Sequence, residues 1–290
     1  MIADLAAATL RVATPLLFAS MGGVTSERAG VVNLGLEAYL LAGAFGAAAG
    51  TLATGSAAAG CLAGVAAASL VALVHGLICT RTRADHVVAG VALNLLADAA
   101  TIAVLVTAYH KKGATPPFPQ STKDAISAAA VFGSPLTWLA LLAVPAVAWT
   151  LARTRAGLRL RAVGENPECA ESLGVDAARV RLGAVVAAGA ITGLGGAFLA
   201  LEAGSFSKHM AGGRGYLALA AVVIGKWRPA RAALAAVAFA FLAALSDHLQ
   251  LEFQMPDQVT QMLPYVVTLA VLSGLVGRAK PPAALGRPLH

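Results

Sequence analysis

The stretch 57-AAAGCLAGVAAASLVALVHGLIC-79 carries no formal charge over 23 residues, and its neighbour 29-AGVVNLGLEAYLLAGAFGAAAGTLA-53 carries one. A bilayer core about 30 Å thick is crossed by around 20 apolar residues rising 1.5 Å each. Two such stretches in succession therefore read as membrane-spanning helices. The whole chain agrees. Of 290 residues 58% are hydrophobic and 12% charged, and mean hydropathy is +0.76. A soluble domain averages about 45–50% apolar and about 25% charged residues. The sequence predicts an all-α, polytopic helical membrane protein.

Nine hydrophobic segments can be drawn: about 4–24, 30–53, 57–79, 86–109, 135–152, 181–203, 214–226, 229–250 and 256–276. Eight to nine of them are expected to span. The opening MIADLAAATLRVATPLLF lacks a basic leader and has an early Asp4, so it reads as a first span rather than a cleaved signal peptide. Fifteen of the 21 Lys and Arg residues fall on one side if the segments alternate: Arg28, the pair at 81 and 83, six between 153 and 181, three at 226–231 and three from 278 to 287. This positive-inside asymmetry places the N-terminus outside and the C-terminus in the cytoplasm. A net charge of +7 distributed over short loops does not describe a nucleic-acid-binding face. Cys61, Cys79 and Cys169 are scattered and form neither metal spacing nor a disulfide framework.

The halves of the chain resemble one another. 21-MGGVTSERAGVVNLGLEAYL-40 answers to 210-MAGGRGYLALAAVVIGKW-227, and 84-ADHVVAGVALNLLA-97 to 256-PDQVTQMLPYVVTL-269. Matching elements are five spans apart, an odd number, so the copies face opposite ways, as in transporters built from inverted repeats. The expected division is one permease domain over 1–290. A first repeat occupies about 5–109, followed by an external loop at 110–134 and a span at 135–152. A coupling loop at 153–180, a second repeat at about 181–276 and a cytoplasmic tail at 277–290 complete it. The Pro-rich external loop reads as a partner contact, a lid or a solvated linker. A helix from Gly215 to Gly225 is about 16 Å long, half a bilayer, so 204-GSFSKHMAGGR-214 is expected to be broken or re-entrant; a short tilted helix from Lys208 is the alternative.

Against this background 153-RTRAGLRLRAVGENPECAESLGVDAARVRL-182 concentrates ten charges in 30 positions. Within it 166-NPECAESLG-174 is a complete small helix. Asn166 suits the N-cap, Pro167 the first position, Glu168 the positive end of the dipole and Gly174 the left-handed residue after the end. Two turns are unstable alone, so the helix must be docked on something. Cys169, Ala170 and Leu173 are read as its small apolar face, with Glu168 and Glu171 beside them.

Polar groups inside spans cost about 2.5–3.5 kcal/mol if charged and so call for a role. Asn33 with Glu37 and Asn94 with Asp98 each stand four apart, which places each pair on one helix face. These four are expected to line a substrate path, though interhelical hydrogen bonding serves equally. Phe206 and Tyr216 flank the broken segment, suited to stacking on a base or to ordinary packing. Gln258 and Gln261 suit a gate, a site or a solvated edge. His75, His86 and His248 are isolated.

The stretches 26-SERAGVVNLGLEAYLLAGAFGA-47, 157-GLRLRAVGENPECAESLGVD-176 and 212-GGRGYLALAAVVIGKW-227 resemble ABC-importer permeases of the branched-chain amino acid/simple sugar permease superfamily. The likeness runs from about Leu10 to Gly277 and is strongest to the nucleoside-importer permeases. The pair Glu171-Ser172 and Arg228 after Trp227 depart from the familiar pattern. The resemblance implies an importer of the bacterial cytoplasmic (inner) membrane with a second, different permease, separate ABC ATPase subunits that bind ATP and Mg, and an external substrate-binding lipoprotein. It also implies that Gly164, Glu165 and the segment Asn166–Gly174 form the coupling helix seated in an ATPase cleft. No cofactor is expected in this chain. Consistently, no G-x-x-x-x-G-K-[ST] occurs, since Gly225-Lys226 is followed by Trp227. The alternative substrates are simple sugars or branched-chain amino acids. A rival of another class is a proton-coupled transporter acting through Glu37, Asp98 or Glu202. A membrane enzyme is disfavoured by the lack of a nucleophile–base pair.

Overall fold

The computed structural model describes residues 2–82, 84–111, 113–119, 134–253, 262, 266 and 280–288. Ten helices and no strand occur among them. They are α1 (Ile2–Arg28), α2 (Leu36–Thr54), α3 (Ala57–Arg81), α4 (His86–Tyr109), α5 (Pro135–Arg153), α6 (Arg155–Glu165), α7 (Pro167–Ser172), α8 (Ala177–Ala203), α9 (Arg214–Ile224) and α10 (Pro229–Phe253). Seven of these (α1–α5, α8 and α10) are long and apolar enough to cross a membrane. The expected span at 256–276, with Gln258 and Gln261, lies outside the described residues.

Helices α1, α2 and α8 form the buried centre, and α3 packs along α2 and α8. Small residues allow this close approach. A Cβ on Gly43 would stand 2.8 Å from the Gly193 carbonyl oxygen, and one on Gly64 2.6 Å from that of Gly43. In lipid, where apolar burial between helices gains little, such backbone proximity supplies the dispersion contacts that hold helices together. The outward faces of α4 and α5 carry exposed Leu95, Leu96, Trp138, Leu142 and Trp149, as lipid-facing surfaces do.

Two boundaries differ from the sequence reading. The first helix continues to Arg28 instead of stopping near 24, and 30–53 is not one helix: residues 29–35 are irregular and α2 begins at Leu36. Gly30 at φ +94 ends α1, where the Val31 amide donates back to the Ser26 carbonyl. That is the closing bond of a Schellman turn, which favours glycine at this φ. The broken segment expected in the second half is present, and the helix from Lys208 is not. Residues 204–213 turn irregularly, with Gly204, His209, Gly212 and Gly213 all at positive φ, before the 11-residue α9 starts at Arg214.

Candidate functional site

The starts of α2 and α9, each preceded by irregular backbone, meet inside the bundle. Glu37, in the first turn of α2, accepts the Gly213 amide on Oε1 and the Gly215 amide on Oε2, both at 2.7 Å. A carboxylate thereby caps the exposed amides of α9 and faces the positive end of its dipole. Gly215 lies directly on the Glu37 backbone, closer than a side chain would allow. Asn94, on α4, does the same for α2: Oδ1 accepts the Ala38 amide at 3.0 Å, while Nδ2 donates to the Leu34 carbonyl and to the Tyr216 hydroxyl, each at 2.9 Å.

The four expected path residues therefore divide. Glu37 and Asn94 belong to this junction. Asp98, one turn beyond Asn94, leaves it and pairs with His209 Nδ1 at 2.8 Å, both side chains partly exposed. Asn33 does not share a helix face with Glu37, because it precedes the start of α2. It is fully buried and turned the other way, its amide donating to Glu27 Oε1 at 3.3 Å and its Nδ2 to Ser26 Oγ at 2.9 Å. Tyr216 is 45% exposed, with its hydroxyl in the junction. Phe206 is wholly buried, edge-on to Phe45 with ring centroids 5.2 Å apart, so its faces are not open to a ligand in this conformation.

Part of the connection between α4 and α5 accounts for the irregular backbone at 204–208. The Thr115 and Phe118 amides donate to the Phe206 and Gly204 carbonyls (2.9 and 2.8 Å), and the Lys208 amide to Gly113 at 2.9 Å. The Phe206 amide donates to Thr115 Oγ1 at 3.0 Å. Residues 113–118 are thus a strap, with Thr115 and Phe118 buried, rather than a solvated linker. Protein thus supplies the hydrogen-bond partners of this irregular chain.

At the opposite end of the bundle the small helix forms as its residues dictate. Asn166 Oδ1 accepts the Cys169 amide at 3.0 Å, Gly174 adopts φ +80, the Val175 amide reaches back to Ala170 at 3.0 Å, and Asp176 Oδ1 accepts the Arg179 amide at 2.9 Å. Glu168, Cys169, Glu171 and Leu173 face outward, Leu173 at 79% exposure, and Pro167 is half-buried. Ala170 does not share that face. It is 3% exposed and packs on Val163 and Ala177, which makes it the anchor of the peg rather than part of its tip. Gly164 is buried, with α6 pressed so closely on the Arg28 carbonyl that no side chain fits.

The sequence reading missed what lies behind the peg. Arg181, counted above among the basic residues expected on the cytoplasmic side, is fully buried. It donates to three carbonyls: Ala29 (Nε, 3.2 Å), Arg287 (Nη1, 2.7 Å) and Ala284 (Nη2, 3.3 Å). The tail threads between these elements. The Ala284 amide donates to the Gly164 carbonyl at 2.9 Å, that of Ala283 to Glu165 Oε2 at 3.2 Å, and that of Gly286 to the Gly30 carbonyl at 3.0 Å. Arg28 Nε donates to the Trp227 carbonyl at 3.0 Å, and Trp227 Nε1 to buried Glu27. Glu27 in turn holds the Asn33 amide. Hydrogen bonds linked by short stretches of chain thus lead from α6 through the tail and Arg181 to residues 29–35, and from Leu34 to Asn94. Glu27, Arg181 and Trp227 stood in the sequence as ordinary loop-proximal residues. A carboxylate three places before a left-handed glycine was the one local signal available.

Residues 5–272 match the family model described as the permease component of the branched-chain amino acid transport system. Among characterised relatives, the guanosine ABC transporter permease protein NupQ of Bacillus subtilis (strain 168) is 37% identical, over 97% of this chain and 94% of its own length. The nucleoside ABC transporter permease protein NupC of Lactococcus lactis subsp. cremoris (strain MG1363) is 35% identical over 94% and 92% respectively. The putative glucose ABC transporter permease protein TsgC13 of Haloferax volcanii is 36% identical over 96% and 93%. With seven apolar helices, two irregular segments joined at Glu37 and Asn94, and a family match over most of its length, this multi-pass membrane protein belongs to the branched-chain amino acid transport system permease family.

Proposed function

We propose that this chain is the permease subunit of an ATP-driven ABC importer for nucleosides. The observation that carries the mechanism is the outward-facing peg, capped at both ends and tied through the tail and Arg181 to the irregular segment 29–35, which Asn94 holds at Leu34. Glu168, Cys169, Glu171 and Leu173 form the surface offered to a separate ATPase, which binds the ATP and Mg. Ala170, Gly164 and Glu165 hold that surface to the bundle. The peg lies in the cytoplasm and the 113–118 strap outside, in the bacterial inner membrane. A second permease and an external lipoprotein receptor complete the assembly.

Movement of the peg shifts the end of α1, and with it the two broken segments, which we assign to inverted repeats. Tyr216, Asn94 and Asp98, with Glu37 behind them, line the path, where a hydroxyl, a carboxamide and a carboxylate suit ribose hydroxyls and a base edge. The nucleoside class is supported by the guanosine and nucleoside permeases to which the chain is similar. The similarity to a glucose permease keeps simple sugars as the second reading. Proton coupling is less well supported, because Glu202 is paired with Arg11 and Glu37 holds two backbone amides.

The test is uptake of labelled guanosine by vesicles containing the assembled importer, with glucose and leucine in parallel. Guanosine uptake should survive collapse of the proton gradient and stop when the ATPase is inactivated. Uptake that follows the proton gradient, or favours glucose, removes the respective half of the reading.

A further inference from the structure

On the membrane face that carries the peg, Arg28, Lys226, Arg228, Arg231 and Lys280 line one recess of about 290 Å³. They come from the end of α1, the α9–α10 turn, the start of α10 and the tail. No carboxylate is among the described lining residues. Cations gathered in this way repel one another unless an anion sits between them. The turn that presents them is itself unusual. Lys226 and Trp227 stand at φ +54 and +55, a left-handed pair without glycine, held by the Glu27 and Arg28 bonds to Trp227. Backbone kept in such a sparsely populated region is found where the surrounding structure enforces it for a purpose.

A second cavity adjoins the first and shares Arg28. It measures about 160 Å³ and is lined by Ala148, Leu151 and Ala152 of α5, by Trp227 and Pro229, and by a second cation, Arg161. Its lining is mostly apolar. A cationic recess continuous with an apolar groove between helices matches a molecule with an anionic head and a hydrocarbon tail. Basic pockets between spanning helices are recognised sites for anionic lipid heads.

The geometry points to a bound anionic phospholipid: its phosphate in the recess of Arg28, Lys226, Arg228, Arg231 and Lys280, and one acyl chain along Ala148–Ala152. A free phosphate group shares the head chemistry but has no use for the groove. The lipid would brace the α1 end and the α9–α10 turn, the two pieces that link the peg to the junction.

The experiment is native mass spectrometry of the full chain with its co-purifying subunits, released from bilayers of phosphatidylcholine mixed with phosphatidylglycerol. The wild type should retain phosphatidylglycerol and not phosphatidylcholine. The triple variant K226Q/R231Q/K280Q leaves the Arg28 bond to Trp227 intact and should retain about 100-fold less, at three cations near an anionic head. The charge-preserving K226R/R231K/K280R should retain it normally, which separates loss of charge from loss of fold. Filling the groove with A152W should reduce lipid retention without altering displacement by inorganic phosphate. Equal loss in R153Q/R155Q/R159Q, which removes three cations elsewhere on the same face, would overturn the proposal. So would retention in A152W equal to wild type with ready displacement by inorganic phosphate, which assigns the recess to a free phosphate. Unchanged lipid retention in the triple variant with loss of a co-purifying subunit would also overturn it, and make the recess a protein-docking surface.

Discussion

The peg and the junction both hold irregular backbone in place, but over very different distances along the chain. In the peg, Asn166, Gly174 and Asp176 bond to groups within four residues of themselves. In the junction, Asn94 bonds to residues 56, 60 and 122 positions away, and Glu37 to residues 176 and 178 positions away. A locally closed unit can be displaced as a body with its own bonds intact. A unit closed over long range deforms when either half of the molecule moves. In the proposed importer the peg receives the push and the junction registers it.

Replacing Glu37 by Gln should have the largest effect. Only one of the two α9 amides keeps an acceptor, and the new amide group faces a donor. Loss of a charge-assisted bond that leaves a buried donor unsatisfied costs roughly 3 kcal/mol. A clear fall in the unfolding temperature of the assembled protein, together with loss of uptake, is expected. A stable, active E37Q protein would show that the junction is not what joins the halves.

Arg181→Met comes next. It fits the buried volume but leaves the Ala29, Ala284 and Arg287 carbonyls without their donor. About 2 kcal/mol is expected, and limited proteolysis should find residues 280–288 released. If the tail stays protected, its backbone bonds to Gly30 and Gly164 suffice alone.

Gly174→Ala probes the locally closed unit. A Cβ at φ +80 with open space around it costs about 1 kcal/mol of backbone strain. Uptake per ATP hydrolysed should fall while the unfolding temperature hardly changes. An equal fall in both would erase the distinction between the two regions.

Tyr216→Phe should be smallest. It removes one hydrogen bond to Asn94, worth about 1 kcal/mol or less at this half-exposed position. The expected outcome is a raised KM for the transported nucleoside with near-normal stability. An unchanged KM would place Tyr216 in support of the junction rather than in the path.

Legibility followed the same division. The caps of the peg were readable because each satisfies a donor or a torsion a few residues away. The shortness of α9 and the break before it were readable from Gly204, Gly212 and Gly213 set against a length of half a bilayer. The break at 29–35 was not, since it interrupts an apolar run that periodicity alone joins into one helix. Ala170 was misplaced because helical spacing fixes which residues are neighbours, not which of them the bundle covers. Phe206 reads as a stacking surface because nothing in the local sequence says that the fold buries its ring against Phe45.

By itself the sequence determined that the chain is a polytopic helical membrane protein and that a small capped helix stands within its charged segment. These depend on solvation and on bonds between near neighbours, and both are set by residue type and spacing. Only the tertiary structure decided that Glu37 caps α9, that Asn94 caps α2, and that Arg181 draws the tail against the end of α1. A buried polar group takes whichever partner the folded backbone brings within hydrogen-bonding distance, and residues 56 to 178 positions apart leave no periodic trace of having met.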